Sequence, residues 1–246
     1  MILVNNRPVL ANSRPLIISA APVPGPSLPS DMDFLYFAKD LDGTKIPNSA
    51  PNSTFGDYMK SGTLVSHDTS ANTYLTNSNR GSNYLYKDLT TVQLDAMKAI
   101  SSTYTFFVRV MQDGGDAGVG GILSWRYNNG VNDTYTYMIR AFEQQLQLYT
   151  THGYYCGSDF SLTTDRVYKV VINGSSFKAY NLDNNAEYSL TYSTNRSMCS
   201  QMRTFWASTG EYNLSRFYAL AGIPRATTAE EDEVIKQCMM NQSTTY

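Results

Sequence analysis

Between residues 103 and 151 apolar and polar side chains alternate in four short runs, separated by Gly, Asn and Asp. The runs cover 104–110, 122–127, 134–142 and 145–150, and all are rich in β-branched and aromatic residues, as strands joined by turns are. In the first, Tyr104, Phe106, Val108 and Val110 share one face, and Thr105, Phe107, Arg109 and Met111 the other. Aromatic rings on both faces predict a strand in mid-sheet, with one face in a core and the other partly covered. In the fourth, Leu146 and Leu148 alternate with Gln145, Gln147 and Tyr149, which predicts a half-buried strand.

The same pattern extends outward. Phe34-Leu-Tyr-Phe37 opens the globular part and is followed by an Asp42-Gly43 turn. Residues 45–81 have little periodicity, with short strands expected at 63–65 and 74–75, and order resumes at Tyr84-Leu-Tyr86. Val92, Ala96, Ala99 and Ile100 stand at helical spacing and predict a short helix over 89–100. Residues 166–172 and 176–181 read as a hairpin about Asn173-Gly174, a dipeptide suited to a type I′ turn. Further strands are expected at 187–192, 203–207 and 216–221. Thr228 and Glu231 form a capping box, and Val234, Ile235, Cys238 and Met239 an apolar stripe, so the chain should finish in a short amphipathic helix docked on the strands. The predicted fold class is all-β: an antiparallel β-sandwich jelly roll with a C-terminal helix.

Residues 1–30 differ. Ile2-Leu3-Val4 and Leu16-Ile17-Ile18 are apolar clusters close to Arg7-Pro8 and Arg14-Pro15, and a proline-rich stretch follows from Pro22. Proline fixes φ and removes a donor, so residues 22–29 should form a semi-rigid spacer. The division is therefore an extended N-terminal arm over 1–30 and a domain over 31–246. Such an arm suits anchoring to a partner by strand addition, through Ile2, Leu3, Val4, Arg7, Pro8, Leu16, Ile17 and Ile18.

Composition narrows the partners. The chain has 246 residues, enough for one large β domain, and balances 19 Lys and Arg against 21 Asp and Glu. A net charge of -2 creates no basic field for nucleic acid. Cys156, Cys199 and Cys238 lack metal-site or disulfide spacing and read as buried thiols. No apolar run is long enough to cross a bilayer, and the stretch from Leu16 to Ala21 is too short and too proline-flanked for an export signal.

The stretches Phe34 to Gly43, Tyr104 to Val110, Gly121 to Trp125, Tyr137 to Tyr149, Arg166 to Gly174 and Phe217 to Glu231 together resemble the concanavalin A-like jelly roll, in its laminin G-like and pentraxin-like forms. That resemblance implies that the first and last strands pair, placing Phe34–Phe37 beside residues 216–221. It also implies calcium as a candidate cofactor, held by loop oxygens of Asp113, Asp116 or Asp133; the residues themselves call for no cofactor. The apolar arm, the missing export signal and the Asn-, Tyr- and Thr-rich composition are similar in style to virion proteins of tailed bacteriophages.

Catalytic groups are scarce. Glycosidases of this superfamily set carboxylates on alternate strand positions, whereas the acidic cluster here, Glu230 to Glu233, falls in the predicted helix, where it serves the N-terminus. His67 and His152 lie outside nucleophile–base motifs. Glycan-binding candidates are Trp125, Tyr127, Asn128 and Asn129, with Tyr154 and Tyr155 as a second platform, although a Trp at this place in the fold is more often core. The favoured expectation is a non-enzymatic virion component such as a capsid decoration or head fibre. It would be made in the host cytoplasm, form a homo-oligomer or multi-copy assembly, and be anchored to other virion proteins by its arm. The alternative is a carbohydrate-binding module or receptor-binding tail adhesin.

Overall fold

The computed structural model describes residues 27–244 except 52–53, 70–71, 78–82, 99–102, 113–119, 129–132, 150–152, 175, 192–199 and 206–214. Only the backbone is described at 3–4, 7–8, 10–11 and 14–15 in the arm, and at 98, 120, 126–128, 133–138, 142, 149, 153 and 215. In the arm, β1 (Leu3–Val4) pairs with β2 (Arg7–Pro8) and β3 (Leu10–Ala11) with β4 (Arg14–Pro15), each as a separate antiparallel pair. Ile2, Leu16, Ile17 and Ile18 lie outside the described residues.

The domain continues through β5 (Phe34–Phe37), β6 (Lys45–Ile46), β7 (Tyr58–Ser61), β8 (Leu64–Asp68), β9 (Thr73–Asn77) and β10 (Tyr84–Asp88) to helix α1 (Thr91–Lys98). Next come β11 (Thr103–Gln112), β12 (Gly120–Asn128), β13 (Asp133–Phe142), β14 (Gln145–Tyr149) and β15 (Gly153–Tyr155). The last part holds β16 (Arg166–Asn173), β17 (Ser176–Asn181), β18 (Ala186–Thr191), β19 (Gln201–Thr204), β20 (Ser215–Ile223) and helix α2 (Ala229–Asn241).

Two eight-stranded antiparallel sheets form a sandwich. Sheet I has the order β18-β17-β16-β11-β20-β9-β8, with β5 also on β20, and sheet II the order β15-β14-β13-β12-β19-β10-β7-β6. The four runs that look continuous in sequence are thus divided: β11 lies in the middle of sheet I, while β12, β13 and β14 are neighbours in sheet II. The first and last strands pair as expected, Phe37 with Ala219 and Phe34 with Gly222. Gly222 is required there, because a Cβ would sit 2.3 Å from the Phe34 ring. The β16–β17 turn begins one residue later than predicted: Asn173 pairs with Ser176, and Gly174 takes φ +55°.

Alternation along β11 gives the chain two cores. Tyr104, Phe106, Val108 and Val110 face inward and join Tyr36, Tyr58, Leu85, Trp125, Leu146, Leu148 and Met202 between the sheets. Phe107 points the other way, into a second cluster with Leu35, Phe37, Ala219, Ala221 and the α2 residues Val234, Ile235, Cys238 and Met239. The predicted apolar stripe of α2 is thus the part that covers sheet I. Its capping box is present: the Glu231 amide donates to Thr228 Oγ1 at 3.2 Å, and the Thr228 amide to Glu231 Oε2 at 2.9 Å. Leu28 and Met32 are buried in this second cluster, so packing begins slightly before residue 31.

One buried cation ties these parts together. Arg109, on the outer side of β11, has no solvent exposure. Its Nε donates to Asp165 Oδ1 at 2.8 Å and its Nη2 to Asp165 Oδ2. Its Nη1 donates to Asn72 Oδ1 at 3.0 Å and to the carbonyls of Met239 and Met240 at 2.8 and 2.9 Å. Those carbonyls belong to the last turn of α2, where carbonyls lack the amide of a following turn, and a positive charge there also complements the helix dipole. Tyr218 lies over the guanidinium at 4.5 Å, at a register shift between β11 and β20. Gln242, in the left-handed region, ends the helix and donates through Nε2 to the Thr73 and Tyr218 carbonyls.

Arg109→Leu should lower unfolding free energy by about 3 kcal/mol, because it removes the cation from the Asp165 carboxylate, the Asn72 amide and the α2 carbonyls; chemical denaturation measures this. Hydrogen bonding and ion pairing with Arg225 hold Glu231 down at about 2, against an ordinary 4.5. A depressed carboxylate contributes stability that is complete above its unfolded pKa and is lost as pH falls through the folded one. Glu231→Gln should therefore be less stable than the parent at neutral pH, and the gap should close between about pH 4.5 and about 2, as denaturation midpoints across that range will show.

Candidate functional site

The two outer faces of the sandwich differ. Helix α2 and the segment entering β5 cover sheet I, whereas no described helix lies on the outer face of sheet II. The inward residues of sheet II, such as Tyr58, Leu85, Met202 and Trp125, belong to the main core. By alternation their neighbours point outward.

The registers align these outward positions into rows. One row runs from Ser124 on β12 through Arg203 on β19 and Tyr86 on β10 to Met59 on β7. A second runs from Arg140 on β13 through Gln147 on β14 to Tyr155 on β15. In both, an amide orients a guanidinium: Arg140 Nε donates to Gln147 Oε1, and Arg203 Nε to Gln201 Oε1. Gln201 Nε2 in turn donates to Asp88 Oδ1 at 2.7 Å, which fixes which way its amide faces. The Arg203 guanidinium lies over the Tyr84 ring at 4.3 Å, and Tyr84 meets Tyr86 edge-on at 5.9 Å. Ser124 and Gln147 are themselves buried, so the polar surface is made by the half-buried Arg140, Gln201, Arg203, Tyr84 and Tyr86, with Asp88 as the carboxylate that the described side chains of these strands bring to it.

The sequence candidates are placed as follows. Trp125 is a core residue: it has no solvent exposure, and its ring meets Phe106 edge-on at 5.2 Å between the sheets. As an inward position of β12 it is out of reach of a glycan, which corrects the expectation. Tyr154 is partly buried against the main core, while Tyr155, the next residue, points outward and is 42% exposed. Tyr127 and Asn128 lie on β12 and Asp133 opens β13, but only their backbone is described. Asn129, Asp113 and Asp116 lie outside the described residues. Among the described residues no three His, Cys, Asp or Glu side chains gather as a metal site.

Sequence reasoning missed Arg140, Gln147, Gln201 and Arg203. The signal for the first two was available, since Gln147 alternates with core leucines in a strand already predicted. Nucleophiles are muted: burial pushes the Cys156 thiol up to about 12 and the Cys238 thiol up to about 11, so both stay protonated at neutral pH. His67 stacks on Tyr74 at 4.9 Å and shares a hydrogen bond with Thr76 Oγ1, on the outer side of sheet I.

Solved structures carry the same fold, a sandwich of two antiparallel sheets. Trypanosoma rangeli sialidase in complex with sialic acid matches with a TM-score of 0.58 at 12% identity, over 89% of this chain and 34% of that one. The same sialidase as a covalent intermediate with difluorosialic acid matches at 0.59 and 11% identity, over 92% and 35%. A botulinum neurotoxin type C structure, from a toxin whose cell entry depends on interaction with two ganglioside molecules, matches at 0.60 and 8% identity, over 85% and 51%. The chain spans about a third of the sialidase and about half of the neurotoxin chain, and at these identities the likeness concerns the fold alone. No protein-family model and no curated protein matches the sequence.

Trp125→Ala should cost about 3–5 kcal/mol as a core truncation, while Tyr155→Ala should stay within about 0.5 kcal/mol of the parent. Denaturant titration of the two variants separates the buried Trp125 from the exposed Tyr155.

Proposed function

We propose that the domain is a glycan-recognition module that binds carbohydrate on the outer face of sheet II without turning it over. The observation that carries this reading is the contrast between the faces: sheet I is covered by α2, and sheet II presents the Gln201 amide, oriented guanidinium groups and phenol rings. Sugars offer vicinal hydroxyls and an apolar C–H face. The half-buried guanidinium groups and the Gln201 amide meet the first, and exposed rings such as Tyr155 meet the second. Fixing Arg140 and Arg203 beforehand by Gln147 and Gln201 lowers the ordering cost of a shallow site. Sialic acid in the sialidase and gangliosides in the neurotoxin's cell entry are support by analogy of fold.

The setting belongs to the proposal as well. Display on a phage particle, with the arm as anchor, follows from the sequence resemblance and from an arm paired separately from both sheets; the similar structures lend it no support.

A glycan array probed with the purified chain should give positive spots that fall at least tenfold in Arg203→Ala and Tyr155→Ala but persist in Val92→Ala, a change to an exposed residue of α1. An array without signal, or binding indifferent to Arg203 and Tyr155, would overturn the reading.

A further inference from the structure

Residues 2–29 repeat with a period of seven: Ile2-Leu-Val-Asn-Asn-Arg-Pro8, Val9-Leu-Ala-Asn-Ser-Arg-Pro15, Leu16-Ile-Ile-Ser-Ala-Ala-Pro22 and Val23-Pro-Gly-Pro-Ser-Leu-Pro29. Every unit opens on a branched aliphatic residue and closes on proline. The first two also share leucine, asparagine and arginine at equivalent places. Their backbones repeat in the same way, with Leu3 opposite Pro8 and Val4 opposite Arg7, then Leu10 opposite Pro15 and Ala11 opposite Arg14. Two sequence copies thus give two hairpins of one register.

The prolines give each hairpin unequal edges. Proline has no N–H, so Leu3↔Pro8 can only be the non-hydrogen-bonded pair, and Val4↔Arg7 the hydrogen-bonded one. The N–H and C=O of Leu3 then face away from their own partner strand, as do those of Leu10. On the return strand the outward donor is missing, because Pro8 and Pro15 occupy that place. One edge of each unit can therefore accept another strand, and the other cannot.

We propose that residues 2–15 are a self-docking segment, in which two copies of this chain pair through the first strands of their hairpin units, β1 with β1 and β3 with β3. An isolated two-stranded hairpin this short is not stable in water, and these pairs are hydrogen-bonded to neither large sheet. A second copy offers the same edge antiparallel about a two-fold axis, so that the outward groups of Leu3 and Leu10 are satisfied reciprocally. The blocked edge stops growth into a fibre. Charge permits the contact, because Arg7 and Arg14 stand on the blocked strands and residues 1–30 contain no acidic residue. Two units per chain make the contact bivalent, and a dimer would carry two copies of the folded domain, which raises avidity for any repeated ligand.

The test is sedimentation velocity of the full chain over a concentration series, beside Leu3→Pro/Leu10→Pro and Arg7→Ala/Arg14→Ala. The proline pair removes the outward donors along with the leucine side chains, and unchanged thermal unfolding will confirm that the domain is intact. The expected result is a dimer for the parent and the arginine variant, and at least tenfold weaker association for the proline variant. A monomeric parent, a proline variant that dimerises as well as the parent, or loss of the dimer in the arginine variant would each overturn the proposal.

Discussion

The arrangement depends on one guanidinium in the middle of a sheet. A charged group without solvent exposure is tolerated only when its donors are matched, and those of Arg109 are taken by a carboxylate, an amide and two helix-end carbonyls. Its partners come from the turn before β9, the loop before β16 and the C-terminus of α2. Forming the site therefore requires parts far apart in sequence to be in place together. The register shift in β20 is part of the same constraint, since it places Tyr218 over the cation beside Ala219. Burying such a group is not the cheapest way to attach a helix. What it adds is specificity: α2 has one position and one end point on sheet I.

A second network defines the opposite end of α2. Arg225 bridges Asp31, just before β5, to Glu231 in the first turn of the helix. Nearby, the buried Tyr104 hydroxyl donates to Asp33 at 2.7 Å, while burial raises the Asp33 carboxyl above its ordinary value. The entry to the domain and its closing helix are thus fastened to each other as well as to β11. This explains how β5, only four residues long, is held beside β20.

Much of this architecture was legible in the sequence because it is written in alternation. The runs at 104–110, 122–127, 134–142 and 145–150 correspond to β11 to β14, and the Thr228–Glu231 box gave the start of α2. Alternation shows which side chains share a face but not which sheet a strand joins, so the division of β11 from its successors was hidden. Short strands escape for a simpler reason: Lys45–Ile46 and Gly153–Tyr155 contain too few residues to show a period. The candidate site was less legible. Trp125 drew attention as an aromatic residue, yet its parity along β12 is that of the core. Arg140 and Arg203 look like ordinary surface charges until the strand registers bring Gln147 and Gln201 beside them.

The placement of α2 gives the domain a front and a back. Leu28, where the arm joins the domain, and the apolar stripe of the last helix meet in one cluster on the far side of sheet I. Both the Leu28 end and α2 therefore lie behind sheet I, on the side away from the rows of sheet II. Orientation follows from how the core is closed.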